Sequence, residues 1–231
     1  MLKKGWFFLN NKPIILKEDV LDRLRICVPG WLDLGHLYSM DYAIKNLPSN
    51  DPILEIGTFA GLSTNVILYF LNKYNRTNKY YTTDWFLGDT PEDIKIALVK
   101  NPRDLITFLK ESFVRNVNFF SPNSNIYSSD LPSEKFFEAW ENGQELNNLF
   151  GGKYKLQGPI SFAYIDGNHQ YDFAKQDFLN VDKYLVKGGF ILFDDSADYT
   201  NWGSKLVAQE VVKSGDYKLV FKNPHYLVEK L

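Results

Sequence analysis

From residue 51 onward the chain alternates between short apolar runs and longer amphipathic ones, and that alternation leaves few folds open. "PILEIG" (52–57), "KYYTTD" (79–84), "SNIYSSD" (124–130), "ISFAYID" (160–166) and "FILFDD" (190–195) read as strands. Between them, Leu62–Lys73, opened by Ser63 or Thr64, reads as a helix. So does Asp104–Asn116, with Leu105, Phe108, Leu109 and Phe113 on one face. Tyr171, Ala174, Phe178, Val181 and Leu185 recur at spacings of three and four, and Gly188 and Gly189 are expected to end that helix. A further helix is expected near Lys205–Lys213. "YKLVF" and "HYLVEKL", joined by "KNP", suggest a closing antiparallel hairpin. Strands alternating with helices imply an α/β fold, a doubly wound, Rossmann-like, mostly parallel sheet.

Length allows one domain of this kind: 231 residues make a sizeable core and are too few for two comfortable domains. Residues 1–45 precede the first strand and 131–158 interrupt the alternation. Both are expected to be additions that cover a substrate.

A net charge of −2 with no dense basic run disfavours a nucleic-acid partner. One cysteine, Cys27, permits neither an internal disulfide nor a Cys-based zinc site. The apolar run at the start is broken by Asn10, Asn11, Lys12 and Pro13, and no segment approaches the length of a membrane span. A reduced, cytoplasmic setting is expected, without membrane contact; a homo-oligomer is compatible with the composition.

In such sheets ligands bind outside the carboxyl ends of the strands. The first end reads "ILEIGTFAGLST": Gly57 lets the chain turn after the strand, and Gly61 lets the next helix start close to a ligand. This is E-x-G-x-x-x-G, distinct from the G-x-G-x-x-G that seats a pyrophosphate. Glu55 would repel a pyrophosphate and suits a cationic ligand; a carboxylate inside an apolar strand also needs a partner. Asp84 ends the second strand, 23 residues after Gly61, where a carboxylate accepts hydrogen bonds from ribose hydroxyls. A nucleoside with positive charge and no diphosphate fits, and S-adenosylmethionine meets that description. Each glycine and Asp84 could instead serve only turn geometry.

Together "ILEIGTFAGLST", "YTTDWF", "YIDGNHQYDFAKQDF" and "LVKGGFILFDDS" resemble class I S-adenosylmethionine-dependent methyltransferases. The last two look most like the branch with the macrolide-sugar O-methyltransferases, whose signature is near I-D-G-x-H-x-Y. The resemblance covers about residues 50–231. It implies Ser63 among the cofactor residues and a polar residue near the adenine, for which Asp130 is the match.

Asp166 ends the fourth strand while Asp194 and Asp195 end the fifth. Adjacent strand ends lie about 5 Å apart, so the three carboxylates converge and would repel one another without a cation. Three oxygen donors suit a hard divalent ion, Mg²⁺ or Mn²⁺. The resemblance implies the same, since matching positions hold Mg²⁺ in metal-dependent O-methyltransferases. There Asp195 points to the sugar-methylating branch, because catechol-methylating relatives more often carry Asp-Asn. His169, three residues beyond Asp166, is the expected general base, with Asp166 as its catalytic companion; a capping histidine is the plainer alternative. His36 and His225 have no such neighbours in sequence and are expected to be structural, as Asp172 and Asp177 are expected on a solvated helix face.

The expected function is S-adenosylmethionine-dependent methylation of a small-molecule hydroxyl, on a sugar, polyol or phenol, with Mg²⁺. A metal-independent methyltransferase and a cofactor-binding protein without transfer activity are the alternatives.

Overall fold

The computed structural model describes residues 13–86 and 102–231. Two helices, α1 (Asp19–Cys27) and α2 (Leu34–Lys45), precede the first strand, β1 (Ile53–Ile56). Then follow α3 (Leu62–Lys73), β2 (Tyr80–Asp84), α4 (Pro102–Phe120), β3 (Ile126–Asp130) and α5 (Ser133–Glu141). A small hairpin of β4 (Glu145–Asn147) and β5 (Lys153–Lys155) leads to β6 (Ile160–Ile165), α6 (Tyr171–Tyr184) and β7 (Leu185–Phe193). The chain ends with α7 (Gly203–Ser214), β8 (Tyr217–Lys222) and β9 (Tyr226–Lys230).

The main sheet runs β3-β2-β1-β6-β7-β9-β8. Its first five strands are parallel, and β9 pairs antiparallel with both β7 and β8. Strand alternation sorts the core into two layers. Ile53, Tyr80, Phe162, Tyr164, Phe190 and Leu192 face α1 to α4, while Leu54, Ile56, Tyr81, Ala163, Ile165, Ile191 and Phe193 face α5 to α7. Helices cover both faces, as the uninterrupted apolar strands require. No helix among the described residues is long and apolar enough to cross a membrane.

Four expectations need correction. The sixth helix ends at Tyr184, and Leu185 already pairs with Ile160. Gly188 and Gly189 instead form an irregularity inside β7, with Gly188 left-handed (φ 78°) where the register jumps between the Ile160–Leu185 and Phe162–Phe190 pairs. On α4 the buried residues are Leu105, Leu109, Phe113 and Val117, spaced by four, and Phe108 points outward. Residues 131–158 are no mere interruption: α5 is the crossover helix between β3 and β6, burying Phe136, Phe137 and Trp140 on the sheet. The segment after β4 also closes the edge strand, with Leu149 N–H donating to the Ser128 carbonyl and Ser128 N–H to Asn148 Oδ1. Finally, Asp177 is buried, accepts from Ser133 Oγ at 2.5 Å, and is pushed up to about 6 by that burial.

Candidate active site

Glu55 lies at the centre of β1, wholly buried, with both carboxylate oxygens engaged. Ser63 Oγ donates to one at 2.5 Å; Thr64 Oγ1 and Tyr80 OH donate to the other at 2.6 and 2.7 Å. Ser63 and Thr64 open α3, so the carboxylate pins that helix to the sheet. Burial pushes the Glu55 pKa up to about 7 against these three bonds. The structure thus brings Glu55 and Ser63 together as a buried pair beneath the turn.

The turn after β1 is set by glycine. Gly57 has φ 85°, and a Cβ on it would stand 2.0 Å from the Asp166 carbonyl oxygen. Backbone crowding against the end of β6, as well as turn shape, therefore demands glycine. Gly61 (φ 90°) caps α3, with Phe113 of α4 closest to its missing side chain. Phe59 between them holds φ 47° without being glycine, a strained geometry for an aromatic residue. Asp84, at the end of β2, locks this turn: its Oδ2 accepts from Thr58 N, Phe59 N and Thr58 Oγ1 at 2.7, 2.8 and 3.2 Å. Burial raises its pKa in spite of those donors. Asp130 pairs with Asp84 across the strands and ion-pairs with Lys110 of α4 at 2.7 Å.

At the neighbouring strand ends, Asp166, Asp194, Asp195 and His169 meet. Asp166 is half-buried and accepts from Tyr164 OH at 3.2 Å. Burial, and then the charge of Asp194, raise its pKa well above the usual range. Burial also works against the Asp194 carboxylate, yet His36 beside it holds its pKa below the usual range. Asp195 is half-buried, and burial and Asp194 raise its pKa while His169 opposes. Its backbone is left-handed (φ 46°), closed by Thr200 Oγ1 donating to its carbonyl. His169 Nε2 stands 3.2 Å from Asp195 Oδ2, and its ring lies 5.3 Å from that of Trp202.

His36 and His225 lie beside this cluster, company that their places in the sequence do not suggest. His36 Nε2 is 2.6 Å from Asp194 Oδ1, but the contact lies off the ring N–H direction and neither ring nitrogen has a hydrogen-bond partner. The ring stacks on His225 with centroids 4.3 Å apart. His225 Nδ1 accepts from Ser196 N–H at 3.0 Å, which puts its proton on Nε2, facing Asp33 Oδ2 at 3.1 Å. No sequence spacing signals this meeting: the N-terminal helix α2, the hairpin tip and the β7 turn converge only through sheet topology.

Among the described residues, the one set of three His, Cys, Asp or Glu side chains with ligand atoms all within 4.8 Å is Asp33, His36 and His225. Proximity there is not convergence. The His225 Nε2 carries a proton and the two imidazoles are stacked, so their in-plane lone pairs do not meet at one point. The carboxylates of Asp166, Asp194 and Asp195 come to one edge without meeting that criterion, because Asp195 turns to His169.

Residues 54–196 match the family described as "Methyltransferase domain", which is more than half of the chain and spans β1 to the turn after β7. The uncharacterized protein R132 of Acanthamoeba polyphaga mimivirus is 42% identical over 52 residues, 22% of this chain and 23% of that protein. The chain therefore matches about a quarter of that relative's length. The Bacillus cereus O-methyltransferase, solved with SAH, superposes with a TM-score of 0.57 at 15% identity, covering 94% of this chain and 93% of that one. CalS11, a calicheamicin methyltransferase, gives 0.57 at 18% identity over 84% and 78%. At those identities the likeness speaks to the fold alone.

Proposed function

Since the chain belongs to the methyltransferase-domain family, we propose that it is an S-adenosylmethionine-dependent enzyme that methylates a hydroxyl of a small molecule, a sugar, polyol or phenol. The observation that carries this reading is the His169–Asp195 contact beside Asp166 and Asp194, one strand over from the Gly57–Asp84 turn. It supports a base held next to the place where a nucleoside cofactor would end.

On the cofactor side, Gly57 and Gly61 shape the loop and Asp84 holds the ribose hydroxyls. Glu55 and Ser63 brace the loop from beneath, and Asp130 closes the adenine end. When bound, S-adenosylmethionine supplies an electrophilic methyl group. Asp166, Asp194 and Asp195 would hold a divalent ion, Mg²⁺ or Mn²⁺, and their oxygen donors suit such an ion. When bound, the ion supplies Lewis acidity at an acceptor oxygen. The orphaned ring nitrogens of His36 beside Asp194 support a cation there.

His169 takes the proton of the acceptor hydroxyl. With Nε2 turned to Asp195, Nδ1 is the nitrogen that accepts it, and Asp195 steadies the imidazolium that forms. Of the N-terminal extension, residues 1–12 lie outside the described residues, and residues 13–45 form the acceptor side of a single domain: Trp31 packs on Phe59 at 4.9 Å, and Asp33 and His36 reach the cluster. Exposed Trp31, Tyr199 and Trp202 give that side flat surfaces for a ring-bearing acceptor.

One observation favours a second reading without metal. Burial and the charge of Asp194 push the Asp166 pKa well up, and His36 offsets the charge of Asp194, so the pair is partly compensated without an ion. The deciding experiment incubates the enzyme with S-adenosylmethionine and a panel of polyols, glycosides and phenols, with and without EDTA. Release of S-adenosylhomocysteine matched by a methyl ether product, and lost on chelation, is expected. Turnover indifferent to EDTA selects the metal-free reading, and methylation only of nitrogen or carbon acceptors defeats the hydroxyl assignment.

A further inference from the structure

We propose that His36 is a nitrogen ligand to the divalent ion held at Asp194, which makes this a site for a borderline transition ion such as Mn²⁺, Fe²⁺, Co²⁺ or Zn²⁺ in preference to Mg²⁺. The inference rests on the metal-dependent reading above and names the ion class of that same site.

His36 is 2% exposed, and both of its ring nitrogens lack a hydrogen-bond partner. A buried polar atom left without a partner costs about 1–3 kcal/mol, so two on one ring ask for a reason. The ring is not idle filler, because Nε2 is the nitrogen nearest the acidic cluster, 2.6 Å from Asp194 Oδ1. That contact lies off the N–H direction, so it is not a hydrogen bond. Neighbouring ligands of a six-coordinate ion with bonds of about 2.1 Å stand about 3 Å apart. An imidazole nitrogen and a carboxylate oxygen pressed side by side without a shared proton have that relation.

His36 is also fixed from outside. Its backbone N–H donates to the Asp33 carbonyl in the first turn of α2, and its ring stacks on His225. His225 is itself fixed by Ser196 N–H on one side and Asp33 on the other. Gly35 lets α2 approach this closely: a Cβ there would stand 1.6 Å from the Asn223 carbonyl oxygen of the hairpin tip. The shell around His36 is built, and Nε2 is the ring nitrogen that faces the acids without a hydrogen bond. Carboxylates alone suit Mg²⁺ and Ca²⁺, and adding an imidazole shifts the preference toward first-row transition ions.

The test uses the full chain with S-adenosylhomocysteine and Mn²⁺, read by electron spin-echo modulation from ¹⁴N and by calorimetry. Wild type is expected to show an imidazole ¹⁴N coupling and to bind Mn²⁺ about tenfold or more tightly than Mg²⁺. His169→Ala is expected to keep the coupling, whereas His36→Gln loses it together with about tenfold or more in Mn²⁺ affinity. Should His36→Gln fail to fold, the wild-type and His169→Ala spectra still decide. Mn²⁺ bound without any ¹⁴N coupling, or with a coupling that His36→Gln retains or His169→Ala removes, overturns the assignment of His36 and leaves the carboxylate site standing. No binding of Mn²⁺ or Mg²⁺ by a protein that still binds S-adenosylhomocysteine overturns the metal-dependent reading itself.

Discussion

Replacing Glu55 by Gln isolates the electrostatic cost of the carboxyl at the centre of β1. In the fold this group titrates near 7, against 4.5 when free, because burial disfavours its charged form. At about 1.4 kcal/mol per pH unit, the ionised carboxylate is disfavoured by about 3 kcal/mol. The sign follows from linkage: a raised acid pKa stabilises the fold below the unfolded value, and that stability is lost as pH rises through the folded one. Wild type should therefore lose stability relative to Glu55→Gln between about pH 4.5 and 7, and the difference should level off above pH 8. Gln is isosteric with the neutral acid, and the Ser63, Thr64 and Tyr80 hydroxyls can reverse their hydrogens to suit it. At pH 5 the two proteins should thus agree within about 1 kcal/mol, and at pH 8.5 the variant should be more stable by about 2–3 kcal/mol. Urea unfolding followed by tryptophan fluorescence across this range measures the difference directly. A gap that stays constant with pH would refute the reasoning, since Glu55 would then carry the same charge folded and unfolded.

Asp84→Ala should weaken S-adenosylhomocysteine binding at least tenfold by calorimetry, through lost ribose bonds and through release of the Thr58 and Phe59 N–H groups. Gly57→Ala should cost more than about 2 kcal/mol in chemical denaturation, because its left-handed backbone and the Asp166 carbonyl at 2.0 Å both exclude a Cβ; a loss below 1 kcal/mol would remove that crowding from the account. His169→Ala should lower kcat by about 10²–10⁴-fold with cofactor affinity intact, and a loss under tenfold would reduce His169 to a capping role. Asp194→Asn should lower divalent-ion affinity and turnover together without unfolding the protein, and full turnover after both this change and chelation would retire the metal.

The strands and their terminal acids were legible because each signal is local. "PILEIG", "ISFAYID" and "FILFDD" are apolar on both faces, and the acids fall where the apolar runs stop. The pinning of Glu55 was half legible: a carboxylate in a buried strand demands partners, and Ser63 and Thr64 were the hydroxyls opening the next helix. Tertiary context overrode the rest. Gly188 and Gly189 resemble a helix stop, but Leu185 is captured earlier by pairing with Ile160. Asp177 has the spacing of a solvated residue until α5 places Ser133 over it. His36 and His225 lie 189 residues apart and meet only because the antiparallel β9 brings the hairpin tip back to the carboxyl edge of β7.

The central claim is that one edge of the sheet delivers a cofactor methyl group to an acceptor held by Asp166, Asp194, Asp195 and His169. A crystal structure of the protein grown with S-adenosylhomocysteine tests it most directly. The account predicts ribose hydroxyls on the Asp84 carboxylate, the nucleoside over the Gly57–Gly61 turn, and the sulfur facing the Asp194–Asp195 turn and His169. Density for the ligand with its ribose away from Asp84, or with its sulfur turned from that cluster, would contradict the account.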